Sequence, residues 1–115
     1  MRLNLNEYRN APYFKLNNAK VNFKNEPSIK QQIEQLPVFD KVKLTYVIHY
    51  DFNKAFDVAN IGAVADKFFS DALVEAGKLT DDNFKYVSQV SYKFGSIDKV
   101  NPRIEVYIHH ESEEI

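Results

Sequence analysis

Residues 57–82 read D-V-A-N-I-G-A-V-A-D-K-F-F-S-D-A-L-V-E-A-G-K-L-T-D-D and are the most informative part of the chain. Their apolar residues recur at the spacing typical of a helix with one buried face. We therefore predict a helix over residues 60–76, and Gly77 suits the left-handed conformation that often follows a helix. The apolar stripe consists of Ile61, Val64, Ala65, Phe68, Ala72 and Leu73.

Segments in which polar and apolar residues alternate lie on both sides of this helix. Residues 42–50 read V-K-L-T-Y-V-I-H-Y, and residues 86–94 alternate in a similar way. Alternation of this kind indicates a strand with one buried face. The order of strand, helix and strand is compatible with a right-handed crossover between parallel strands.

Two further elements complete the predicted fold. Residues 27–36 place apolar residues at helical spacing behind a proline, and residues 103–109 alternate as a strand. The link 95–102 contains a glycine and a proline, so we predict that the last two strands form an antiparallel hairpin. The sequence thus predicts one small α/β (α+β) domain over residues 1–115. It has a mixed β-sheet, one main helix between strands and a C-terminal hairpin.

The two ends of the chain carry weaker patterns. Residues 1–26 are rich in asparagine, and we expect them to form an arm or a mobile loop. The aromatic residues of this arm are interleaved with Lys15, Lys20 and Lys24, a pattern suited to nucleic-acid contact or to packing on its own domain or on a dimer mate. Residues 111–115 are expected to be a frayed acidic tail.

The composition restricts the class of protein. With 44% hydrophobic and 14% aromatic residues, the chain has enough apolar surface for a globular core. The absence of cysteine excludes disulfides, zinc-thiolate sites and thiol nucleophiles, and it fits a cytoplasmic location. No apolar run approaches the ~20 residues of a membrane span, so no membrane partner is expected. The formal charge of −1 argues against strong nonspecific DNA binding by a monomer.

Acidic residues recur through the central segment and suggest a cation site. Asp57 precedes the helix, Asp71 lies on it, and Asp81-Asp82 follows it. Convergent carboxylates repel one another unless a cation holds them, and hard oxygen ligands suit Mg²⁺ or Mn²⁺. Each residue also has an ordinary structural role, since Lys67 and Asp71 are spaced as a surface pair and aspartate favours turns.

At this point the chain resembles a known family, the RusA-type Holliday junction resolvases, especially their divergent phage and prophage members. The family core has Asp-x-Asp-Asn entering a helix, then a lysine and Asp-Ala-Leu on that helix, then a glycine and an Asp-Asp turn. The similar residues here are Asp57-Val58-Ala59-Asn60, Lys67, Asp71-Ala72-Leu73, Gly77 and Asp81-Asp82. The opening Leu5-Asn6-Glu7-Tyr8 and the later Asn101-Pro102-Arg103-Ile104-Glu105-Val106 also resemble the phage members.

The resemblance implies a homodimeric α/β nuclease that cuts four-way or other branched DNA with Mg²⁺ or Mn²⁺. Carried over by residue, Asp57 is the first metal ligand, and Asp82 or its neighbour Asp81 is a later one. Asp71 supports the acidic cluster, and Lys67 meets the scissile phosphate or balances the carboxylates. A dimer is expected because a four-way junction has two-fold symmetry and needs two matched cuts.

The chain departs from the family pattern at Ala59, where the family has its second aspartate. A methyl group cannot bind a metal, although Asp66 or Glu75 is available as a substitute. The basic residues before the motif are reduced to Lys54, which we expect to contact DNA. The alternative is therefore that the chain is a catalytically weakened homologue that does not cut DNA. It would bind either branched DNA or a partner protein of replication or recombination. A third hypothesis is a small interaction domain with a solvated acidic helix.

Overall fold

The computed structural model describes residues 12–17, 20–21, 26–50 and 58–111. Within these residues, five strands form one mixed sheet in the order β2-β1-β5-β3-β4, and two helices accompany it. The elements are β1 (Tyr13–Asn17), β2 (Lys20–Val21), α1 (Glu26–Glu34), β3 (Lys41–Tyr50), α2 (Val58–Glu75), β4 (Val87–Ile97) and β5 (Arg103–Glu111). The predicted small α+β domain with a mixed sheet is confirmed.

The central unit of the fold is β3, α2 and β4. The two strands are parallel and in register over most of their length, for example at Leu44 and Val90, which confirms the predicted crossover arrangement. Helix α2 ends in a double hydrogen-bonded cap, in which Gly77 N–H donates to Val74 O at 3.0 Å and Lys78 N–H donates to Leu73 O at 2.9 Å. Gly77 has a φ of 75°, so the predicted left-handed termination is also confirmed.

The core lies between the two helices and one face of the sheet. Strand β3 alternates strictly between buried and half-buried residues, because every second side chain points toward the helices. The fully buried residues of largest volume come from both helices, β3, β5 and the segment after α2. They are Tyr46, Phe69, Ile29, Ile33, Leu44, Ile48, Leu73, Leu79, Ile104, Ile108 and Val42.

The predicted C-terminal hairpin is wrong. Strand β5 does not pair with β4 but lies between β1 and β3, antiparallel to both. Strands β3 and β4 run in the same direction, so β5 would be antiparallel whether it paired with β3 or with β4. The direction of the chain alone therefore does not decide which of the two it pairs with. Burial selects it: Ile104, Val106 and Ile108 are fully buried, as befits a central strand. The link crosses the end of β3, where Asp98 N–H donates to Tyr50 O at 2.6 Å.

Part of the expected N-terminal arm belongs to the sheet. Tyr13 pairs with Glu105 of β5, so residues 13–17 are a strand and not an irregular arm. The outer edge of β1 is capped by Gln32 of α1, whose Oε1 accepts from Tyr13 N–H at 3.0 Å. The expected acidic tail begins later than residue 111, since Glu111 is the last residue of β5 and pairs with Lys41.

Several predictions fall on residues outside the described part of the chain. They concern Asp57, Lys24 and Lys54, as well as most of the arm and residues 112–115. Within the residues that the structure describes, neither helix combines the length and hydrophobicity that a membrane crossing requires.

Candidate functional site

The polar residues of α2 on which the family resemblance rests point to solvent. Helix α2 buries Ala65, Phe69 and Leu73 against the sheet, which leaves its opposite face outside the core. Lys67 and Asp71 lie on that outer face and are exposed. They are four residues apart, yet among the described side chains no ion pair joins them. Both charges are therefore available to a ligand.

The turn after α2 is organised by its own side chains. Asp81 Oδ1 accepts from Asp82 N–H at 2.8 Å, and Asp81 Oδ2 accepts from Asn83 Nδ2 at 3.1 Å. Asn83 Oδ1 in turn accepts from Lys85 N–H at 2.9 Å. These bonds occupy Asp81, whereas the carboxylate of Asp82 has no hydrogen bond to the described residues. Asp82 is therefore the better placed of the two to bind an external cation.

The two ends of α2 lie at opposite ends of the sheet. The helix has 18 residues, which corresponds to about 27 Å. The following segment is held at the start of β3, where Phe39 N–H donates to Lys78 O at 2.7 Å and Val42 N–H donates to Tyr86 O at 2.8 Å. The chain leaves β3 at its other end, after Tyr50, before it enters α2.

This separation limits the metal site that the resemblance implies. Oxygen ligands of Mg²⁺ lie about 2.0–2.1 Å from the ion, so two carboxylates that share it have oxygens roughly 4 Å apart. Asp57 is bonded to Val58, the first residue of α2, whereas Asp82 follows the other end of the helix. Over the described ranges, no three His, Asp or Glu side chains are grouped to hold a metal ion. The described residues of one copy therefore do not form a metal site by themselves.

Asp66 is half-buried and accepts hydrogen bonds from two hydroxyl groups. Its Oδ1 accepts from Tyr46 Oη at 2.7 Å and from Ser70 Oγ at 3.0 Å. Burial, with the Asp66 carboxylate beside it, raises the pKa of Tyr46 well above its ordinary value. Burial and the same carboxylate also raise the pKa of Tyr92. Asp66 thus fastens α2 to β3 and is less available to replace a metal ligand.

The face of the sheet opposite the helices, which we term the open face, carries a polar network that the sequence did not predict. At its centre, His49 of β3 bonds to both neighbouring strands. His49 Nδ1 lies 2.8 Å from Ser96 Oγ on β4, and His49 Nε2 lies 2.8 Å from Glu105 Oε1 on β5. The alternation of β3 indicates that His49 is on the polar face, but its partners depend on which strands flank β3.

Arg103 extends the network to the end of the sheet. Its guanidinium donates to Asp98 Oδ2 at 2.8 Å and to Glu105 Oε2 at 3.3 Å. Partial burial raises the pKa of Glu105, but hydrogen bonds from His49 and Tyr107 and the charge of Arg103 outweigh it, so the net pKa is lowered. The pKa of Asp98 is lowered by the Asn101 N–H and by Arg103.

The lowered pKa of Glu105 predicts a specific loss of stability in acid. A carboxylate with a folded-state pKa below the unfolded value of about 4.3 stabilises the fold above that pH, and the contribution disappears as the pH falls through the folded pKa. Glu105→Gln should therefore destabilise the protein near neutral pH, and the difference from the natural chain should narrow as the pH falls from the unfolded pKa through the lower folded-state pKa. Urea unfolding from pH 7 to pH 3 measures this, with Asp71→Asn as the exposed control. A difference that stays constant with pH would contradict it.

The lysines expected to contact DNA are only partly described. Lys15 is exposed and pairs in register with Arg103, which places it on the open face. Lys20 lies in β2, while Lys24 and Lys54 fall outside the described residues. Toward the other end of the open face, at the start of β3, lies a hollow of about 290 Å³. Its lining includes Lys43, Thr45, Gln89, Tyr107 and His109.

Comparison with known proteins adds no assignment. No protein-family model matches the chain, and no curated protein is significantly similar to it.

Proposed function

We propose that the chain is a RusA-like endonuclease that acts on branched DNA with Mg²⁺ or Mn²⁺, and that two copies together supply each metal site. The proposal combines the residue pattern of the sequence with the surface on which that pattern lies. It treats Asp57, Asp82, Asp71 and Lys67 as the functional residues.

The observation that carries the proposal is the exposure of these polar residues along α2 and its turn. Lys67, Asp71 and Asp82 are all exposed, so none of them fills the core or is required by packing. They nevertheless occur in the order that the RusA resemblance leads to, on a helix between two parallel strands. Their exposure leaves these charged groups accessible to a metal ion and to DNA.

The separation of the two ends of α2 supports the requirement for two copies. Asp57 and Asp82 flank a helix of about 27 Å, which is too long for one ion to bridge. A two-fold axis places the beginning of one helix near the end of its equivalent when the two helices run antiparallel. Four-way junctions have the same two-fold symmetry. Bound metal ions supply an activated water and neutralise charge at the phosphate.

A gel assay on a synthetic four-way junction tests the function. The natural chain and Ala59→Asp are compared in Mg²⁺, in Mn²⁺ and in EDTA. Symmetric cuts that require the metal support the proposal, and Ala59→Asp should raise their rate by restoring a ligand. If neither chain shifts nor cuts the junction, the proposal fails.

One observation favours a second candidate function, a homologue that binds branched DNA without cutting. Ala59 is exposed at the start of α2, where the family has a carboxylate. Under this alternative the natural chain retards the junction without cutting it, and retardation decreases with salt as phosphate contacts predict. Cutting that appears only in Ala59→Asp would select this alternative.

A further inference from the structure

The polar network of the open face contains a serine, a histidine and a glutamate in a row. His49 Nδ1 lies 2.8 Å from Ser96 Oγ, and His49 Nε2 lies 2.8 Å from Glu105 Oε1. The three residues come from three neighbouring strands, β4, β3 and β5. A hydroxyl in contact with an imidazole, whose other nitrogen contacts a carboxylate, is the arrangement that activates serine as a nucleophile.

The carboxylate of Glu105 determines which nitrogen of a neutral His49 carries the hydrogen. The pKa of Glu105 is lowered, so near neutral pH its side chain is ionised and only accepts hydrogen bonds. In the neutral imidazole, Nε2 therefore carries the hydrogen, and Nδ1 has the lone pair that accepts from Ser96 Oγ–H. The two nitrogens exchange the places that they have in the Ser-His-Asp triad, but the chemistry requires only one donor and one acceptor.

A β-bulge in β4 brings Ser96 to His49. The register of β3 and β4 shifts by one residue between Ile48 and His49, so His49 faces Ser96 and Gly95 is the extra residue. Without the bulge, His49 would face Gly95, and Ser96 would point to the side that carries the helices. Space also requires the glycine, since a Cβ at Gly95 would lie 2.5 Å from His49 Cε1. The local backbone is thus shaped to place this hydroxyl beside the imidazole.

The exposure of the side chains suits a nucleophile held by two sheltered partners. Ser96 is exposed, so a small molecule can reach its hydroxyl. Only 13% of the His49 side chain and 24% of the Glu105 side chain are exposed. Lys93 is exposed on the same face of β4, three residues or about 10 Å along the strand from Ser96. Its flexible ammonium group can supply positive charge to an oxyanion formed at Ser96.

We propose that Ser96, His49 and Glu105 form a second catalytic site, which hydrolyses small carboxylic esters. Ser96 is the nucleophile and His49 is the general base, while Glu105 is a positioning residue. Esters are the expected substrates because an alcohol leaves a tetrahedral intermediate more readily than an amine does. This activity is separate from DNA cutting and does not rest on the proposed function.

The reaction balances with the ester and water alone. Ser96 Oγ forms a bond to the carbonyl carbon while its proton moves to His49 Nδ1, and the carbonyl electron pair moves onto oxygen. The tetrahedral intermediate then collapses, the bond to the alcohol breaks, and the leaving oxygen takes the proton from Nδ1. A water molecule attacks the acyl group with His49 as the base, which releases the carboxylic acid and restores the Ser96 hydroxyl.

Labelling with a fluorophosphonate tests the site directly. An activated serine displaces fluoride from this reagent and keeps the phosphonyl group, so peptide mass spectrometry locates the residue that reacted. In EDTA, which removes metal ions, we expect the natural chain to be labelled at Ser96 and to hydrolyse p-nitrophenyl acetate. Ser96→Ala and His49→Ala should each lower the hydrolysis rate at least about 100-fold, the lower end of what general-base catalysis contributes.

Ser91→Ala is the matched control. Ser91 lies on the same strand and the same face, but its Oγ accepts from Gln89 Nε2 at 3.2 Å and has no histidine beside it. This variant should be labelled at Ser96 and should hydrolyse the ester as the natural chain does.

The role of Glu105 has a readout of its own. The ¹⁵N chemical shifts of the imidazole show which nitrogen carries the hydrogen, and we expect Nε2–H in the natural chain. In Glu105→Gln the new amide can donate to Nε2, so the hydrogen should move to Nδ1 and the hydrolysis rate should fall. A folded Glu105→Gln variant that hydrolyses the ester as fast as the natural chain would overturn the positioning role.

The labelling of the natural chain decides the proposal without any variant, because the absence of label at Ser96 would overturn it. Label that persists in His49→Ala, shown to be folded by circular dichroism, would also overturn it, as would equal losses in Ser91→Ala and Ser96→Ala. Because these assays contain EDTA and no DNA, their failure is distinct from a failure of the junction assay.

Discussion

Phe69→Ala should lower the free energy of unfolding by about 3–5 kcal/mol, the usual cost of deleting a buried aromatic side chain. Phe69 is fully buried on the face of α2 that meets the sheet. Its ring meets Tyr46 edge to face, with 6.4 Å between the ring centroids. The substitution removes this contact and leaves a cavity beneath the helix. Since the free energy of unfolding of native proteins is only about 5–15 kcal/mol, this substitution should remove a large part of the protein's stability.

Urea unfolding followed by circular dichroism measures this effect. Phe84→Ala is the matched control, because Phe84 is 80% exposed and its loss should change stability by no more than about 0.5 kcal/mol. Equal effects of the two substitutions would contradict the described packing of α2.

The second large effect is expected in DNA cutting. Asp57→Asn and Asp82→Asn should each reduce metal-dependent junction cutting by at least about 100-fold, since even groups that only support a metal ligand contribute up to that factor. A mixed dimer of the two variants should regain activity. It contains one site with both aspartates intact, Asp57 from one copy and Asp82 from the other, and one site with neither.

Differently tagged copies, co-expressed and purified through both tags, provide the mixed dimer. A shared site predicts that it nicks one strand of the junction, while both parent variants stay inactive. A mixed dimer of Asp71→Asn and Asp82→Asn serves as the comparison, because these two residues lie toward the same end of α2. If the mixed dimer of Asp57→Asn and Asp82→Asn is as inactive as its parents, each site belongs to one copy and the two-copy proposal is wrong.

Local signals explain which elements were predictable from the sequence. The predicted helix 60–76 corresponds to α2 at Val58–Glu75. It was predictable because both signals that specify it, the apolar stripe and the terminating Gly77, are local in the sequence. Strand β3 could be predicted equally well from its regular alternation of polar and apolar residues. The position of β5 in the sheet could not be predicted in this way. Alternation shows that a strand has a buried face, but it does not show which strands lie on either side of it.

The same distinction applies to the candidate site. The exposure of Lys67 and Asp71 follows from helical periodicity, and their positions agree with that expectation. The bonds of His49 to Ser96 and Glu105 join residues 47 and 56 positions away, so they require the strand order that the hairpin prediction missed. The hydrogen bond between Asp66 and Tyr46 likewise joins two elements that are 20 residues apart in sequence.

The central position of β5 has a consequence for how the chain folds during its synthesis. Of the described strands, β5 is made last, yet it supplies the contacts that connect β1 to β3. A nascent chain that lacks residues 103–111 has no strand to bridge these two parts, so the edges of β1 and β3 that pair with β5 lack their partner. Folding must therefore wait for the last strand, and the long-range pairing that closes the sheet should make it slow. During that interval the unpaired strand edges expose the growing chain to aggregation.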